Sequence, residues 1–95
     1  MATKSKLEQA VERQIGSLND AQKELVRAQL SVYRRNDARI AQVEAEIRNV
    51  DSSPAHTRSE VREKQAARAA LSYEHGQLST ANSRIASDLF DFLEE

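Results

Sequence analysis

One cluster of helix breakers divides the chain. Residues 49–57 read Asn-Val-Asp-Ser-Ser-Pro-Ala-His-Thr and hold the single proline of the 95-residue sequence. Pro54 has no amide hydrogen and cannot occupy a helix interior. Asp51, Ser52 and Ser53 carry side chains that compete for backbone hydrogen bonds. The flanking segments contain one glycine each, Gly16 and Gly76. The pattern predicts one domain over residues 1–95, with a helix over about 4–49, a turn over about 50–57 and a helix over about 58–93. The second helix has two plausible starts. Ser53 as N-cap places Pro54 at the favoured first position. Thr57 with Glu60 three residues on makes a capping box, and this start is preferred.

Apolar spacing sets how such helices pack. Leu71, Leu78, Ile85 and Phe92 recur every seven residues without a fault, with Ala67, Ala81 and Leu89 between them. In helix one, Val11, Leu18, Leu25 and Val32 keep one seven-residue period. Tyr33, Ile40 and Ile47 keep another, one residue out of phase, which reads as a stutter near Leu30 to Arg35. The expected fold is therefore all-α, a long antiparallel helical hairpin of the coiled-coil type. It becomes a three-helix bundle if helix one breaks near Gly16–Asn19, where Ser17 or Asn19 can cap a new helix. In the hairpin, Leu18, Leu25, Ile40 and Ile47 are expected to meet Leu71, Leu78, Ile85 and Phe92. Leu25 then lies near Ile85, and Phe92 reaches Leu18.

Two helices alone bury one narrow stripe each. Apolar residues make up 39% of the chain, many of them alanine, and aromatics 4%. Alanine gains little from burial, so this seam gives thin stabilisation. Large residues also lie off it: Val26, Leu30, Val61, Tyr73, Phe90 and Leu93. Val26, Leu30, Phe90 and Leu93 are the expected partner face. Ala66, Ala67, Ala69 and Ala70 form a small-residue patch that would let a neighbouring helix come close.

Charge and chemistry narrow the function classes. Fourteen basic and fifteen acidic residues give a net charge of -1, without the basic excess typical of nucleic-acid binders. Arg27, Arg34 and Arg35, beside Tyr33 and Arg39, form the densest basic stretch and a candidate site for an acidic partner. Its plainer reading is a solvated helix face. Residues 69–95 carry Arg84 against Glu74, Asp88, Asp91, Glu94 and Glu95, so the end of the chain is acidic. Leu89, Phe90, Phe92 and Leu93 among these acids suit either docking to a partner or closing the hairpin. His56 and His75 have no second ligand at helical spacing, and zinc needs three or four convergent groups. Glu44, Glu46, Asp88 and Asp91 read as water-facing charges, and no Gly-x-Ser-x-Gly elbow or phosphate loop is present. No catalytic, metal or cofactor-binding residue and no small-molecule substrate is expected. The absence of cysteine fits a reducing, cytoplasmic setting. No apolar run approaches the about 20 residues that span a bilayer.

In outline, two long helices and a short turn, the chain resembles prefoldin-type chaperone subunits and the tubulin-folding cofactor A bundle. Hairpin subunits of tethering, kinetochore or secretion complexes share that outline. Residues 49–57 are too short for the β-hairpins of prefoldins, and there is no tryptophan for a WXG motif. The resemblance is architectural and carries over no residue. The expected function is a structural or adaptor subunit that assembles through helical faces, with itself or another helical protein. The alternative is a small helical chaperone that holds a client.

Overall fold

The computed structural model describes residues 6–94. Three α-helices and no strand are found among them: α1 (Lys6–Gln14), α2 (Asp20–Ser52) and α3 (Arg58–Glu94). The fold is all-α, and its two long helices form an antiparallel hairpin. Helix one is not continuous. A 3-10 turn at Ile15–Ser17 ends α1, and Leu18 follows in extended backbone (φ -91, ψ 151). The Ser17 hydroxyl donates to Gln14 O at 2.8 Å, satisfying a carbonyl that the broken helix would orphan.

Asn19 then starts α2 through a reciprocal capping box. Gln22 N–H donates to Asn19 Oδ1 at 2.8 Å, and Asn19 N–H donates to Gln22 Oε1 at 3.0 Å. The chain reverses here, so that Glu8 on α1 reaches Arg34 on α2 at 3.2 Å. The start expected at residue 4 lies outside the described residues. The second boundary is tighter than expected, because α2 continues to Ser52 and α3 begins at Arg58. Thr57 is the N-cap, its Oγ1 accepting from Glu60 N–H at 3.1 Å. Glu60 returns its carboxylate to His56 N–H at 2.7 Å. At the other side of the turn Lys64 Nζ donates to the carbonyls of Asp51 and Ser53, at 3.1 and 2.9 Å. A cation on the last carbonyls of α2 suits the negative end of the helix dipole.

The chain divides into two compact units, residues 1–35 with 81–95 and residues 36–80. In the first, α1 sends Leu7, Ala10 and Val11 into a core with Val26, Leu30, Leu89 and Leu93. Spacings of three and four residues put the α1 set on one face. Ile15, Leu18, Tyr33, Ile85, Phe90 and Phe92 pack around that core. Asn82 is buried beside it and donates to Tyr33 O at 3.1 Å.

In the second unit Val43 is the one fully buried hydrophobic among the described residues. Ile40, Ile47, Val50, Leu71 and Leu78 are half-buried. Polar pairs join its two helices instead. Arg39 grips Glu74 with two hydrogen bonds, Nε to Oε2 at 2.7 Å and Nη2 to Oε1 at 2.9 Å. Arg68 faces Asp51 at 3.3 Å, and His75 faces Glu44 at 3.1 Å.

The Arg39 hydrogen bond holds the Glu74 carboxyl below its ordinary range, and Glu74 raises the already high pKa of Arg39. A lowered carboxylate pKa stabilises the fold above the ordinary value of about 4.3. That contribution fades as pH falls through the folded-state value. Glu74→Gln is therefore expected to flatten the acid side of a stability–pH curve measured by urea unfolding, and a curve of unchanged slope would contradict the pair's role.

Gly76 has open space where a Cβ would stand, and its φ is negative. It marks no close helix contact. Gly76→Ala is expected to raise stability by about 1 kcal/mol, seen as a higher denaturant midpoint at constant m-value.

Candidate protein–protein interface

Val26, Leu30 and Leu93, expected on a partner face, are core residues of the three-helix unit. Phe90 packs against them. Leu25, expected in the hairpin seam, is instead 51% exposed. The cause is α1. Once a third helix lies on α2, the stripe Val26–Leu30–Tyr33 must serve both α1 and α3. Leu25 lies about 100° around the helix from Val26 and falls outside that stripe.

The first period is split by the break, with Val11 on α1 and Leu18 before α2, while Leu25 and Val32 lie on a different face of α2 from Tyr33, Ile40 and Ile47. Ile40, Ile47, Leu71 and Leu78 are half-buried, and Ile85 and Phe92 are half-buried against the core. Leu18 is half-buried as well, and it lines one groove together with Phe92 and Leu93. Leu25 lines another of about 220 Å³ with Gln29, Asp88, Leu89 and Phe92.

The outward face of α2 therefore carries Ala21, Leu25, Ala28 and Val32, in steps of four, three and four, whereas Leu18 precedes the helix in extended backbone and packs on the core. Val32 is 39% exposed, and Ala21 and Ala28 are exposed. Such alternation is the a/d pattern of a coiled-coil seam. Here it lies on a helix whose opposite face is already packed. The spacing of Leu25 and Val32 does not single out the two alanines between and before them, and the burial of Val26 and Leu30 shows which face is left uncovered.

The arginine stretch is not one site. Arg34 is bound to Glu8, whereas Arg27 and Arg35 are exposed with no ion pair among the described residues. On α3, Ala66, Ala67, Ala69 and Ala70 are exposed, as are Val61 (40%) and Tyr73 (70%). Among the described residues no neighbouring helix covers that patch. An open groove of about 350 Å³ is lined by Glu44, Ile47, Arg48, Ser72 and His75. Its His75–Glu44 pair brings no third ligating group, and no cluster fit to hold a metal occurs among the described residues. No described helix is long and apolar enough to cross a membrane.

The chain matches no family model, no curated protein and no solved structure.

The Asn19–Gln22 box holds the start of this face. Asn19→Ala is expected to cost about 1 kcal/mol of stability, read from the thermal midpoint. An unchanged midpoint would mean that the reversal is held by the core alone.

Proposed function

We propose that the chain is a non-catalytic assembly module of the cytoplasm that binds a helical protein partner along the outward face of α2. One observation carries this reading: Leu25 and Val32 stand exposed in a seam-like stripe on a helix whose other face is buried. A seam of this spacing gains free energy when a second helix seats its side chains between those residues, at roughly 25 cal/mol per Å² of apolar area covered. The neighbouring groove, with Leu89 and Phe92 on its far wall, extends the apolar surface beyond one helix. A chaperone reading rests on the same groove, which would then hold a client segment transiently.

Photocrosslinking in cells tests the assembly reading. A photoreactive residue replacing Ala28 is expected to give a discrete protein adduct that disappears when Leu25→Asp is added. The same group at Tyr73 serves as the control. Equal adducts from both positions, or no discrete adduct from position 28, would remove the interface. A smear of many clients from position 28 would favour the chaperone.

A further inference from the structure

We propose that α1 is an exchangeable arm, which leaves its own bundle and docks on a second copy of the chain to give a reciprocal, domain-swapped dimer. The surface involved is the groove beneath α1, not the outward face of α2, and the exchange needs no partner on that face.

What fits this groove is visible in the structure itself. Val26, Leu30, Leu89 and Leu93 form its floor, and Leu7, Ala10 and Val11 fill it. Left open, the groove would expose four residues that are now buried. The α1 of a second copy restores each of these contacts, because the same nine residues meet the same floor. The Glu8–Arg34 pair is likewise restored, now between copies. A helix of another protein would have to reproduce both the apolar pattern and that charge.

The joint between the helices allows the exchange. Only residues 15–19 connect α1 to α2. They contain no proline, and none of them adopts a positive φ. Nothing in their covalent structure therefore bars an α-helix. The seven-residue period of Val11, Leu18, Leu25 and Val32 also runs across the joint without a fault. A straightened joint thus makes one regular helix. Undocked, the nine residues of α1 are too few for an independent helix. As an extension of α2 they need no new nucleus. Short joints of this kind invite exchange between copies.

Hydrogen bonding at the joint is close to balanced between the two forms. The bent joint is closed by Ser17 on Gln14 O, by Leu18 N–H on Ile15 O and by the Asn19–Gln22 box. Straightening replaces these with helical bonds and places Gly16 in a helix interior, where glycine is disfavoured. Against the dimer there remains the freedom lost on association, so it gathers at high protein concentration.

Cross-linking of two single-cysteine variants tests the exchange, since the chain has no cysteine of its own. Glu8→Cys and Arg34→Cys chains are mixed, warmed to the thermal midpoint, cooled at high concentration and treated with a short bis-maleimide. A covalent heterodimer is expected, with little product from either variant alone. One chain carrying both substitutions is the reach control. Treated at high dilution it links within itself, and it is then expected to remain a monomer on concentration.

Asn19→Ala removes a cap that exists only in the bent joint. By sedimentation equilibrium it is expected to tighten the dimer roughly twenty-fivefold, about fivefold at each of its two joints. No heterodimer between positions 8 and 34 at any concentration, while the control links within itself, would overturn the exchange. A dimer unchanged or weakened by Asn19→Ala would also overturn it. So would a dimer that persists in the internally linked chain, and the contact would then lie on another surface such as the outward face of α2.

Discussion

The reversal at Ile15–Asn19 decides what the rest of the chain does. Without it, α1 would continue into α2 and the two long helices would share one stripe. With it, α1 lies back on the bundle and adds Leu7, Ala10 and Val11 to the core. The reversal costs the intrahelical hydrogen bonds of about one turn. Those groups are recovered by Ser17 on Gln14 O and by the paired Asn19 and Gln22 side chains. The ends of the two helices are thus closed locally, and the gain comes from burial of the α1 stripe.

A third helix also changes the meaning of α2. Val26, Leu30 and Tyr33 turn toward α1 and α3, so Leu25 and Val32 turn away. Asn82 marks the same seam with a polar group. It is buried and bonded to a backbone carbonyl of α2, a contact that a one-residue slip of the seam would break. A buried amide of this kind contributes little net stability, yet it favours one register over its neighbours.

The helices and their caps were readable from local residues. Thr57 with Glu60 marks a helix start because the capping geometry needs only four consecutive residues, and Asn19 was readable as a cap for the same reason. The seam of α2 was not readable. Leu18, Leu25 and Val32 share one seven-residue period, and Tyr33, Ile40 and Ile47 share another. Either set makes an acceptable coiled-coil stripe. Which one faces inward depends on where α1 docks, a tertiary fact that no spacing in α2 encodes. The alanine patch of α3 misled in another way. Small residues permit a close helix approach but do not compel it, and Ala66, Ala69 and Ala70 stand in the open.

The unit formed by residues 36–80 has Val43 as its sole fully buried hydrophobic among the described residues. Its helices are joined instead by Arg39 with Glu74, Arg68 with Asp51 and Lys64 on the carbonyls of the turn. Such contacts lie within reach of mobile ions, which screen partly exposed charges over a Debye length of about 8 Å at physiological salt. Apolar burial in the α1-containing unit is not weakened in this way. Ionic strength thus bears more on the unit of residues 36–80, where inter-helix polar links supplement half-buried apolar residues, than on the α1-containing unit, whose Glu8–Arg34 pair lies beside an apolar core.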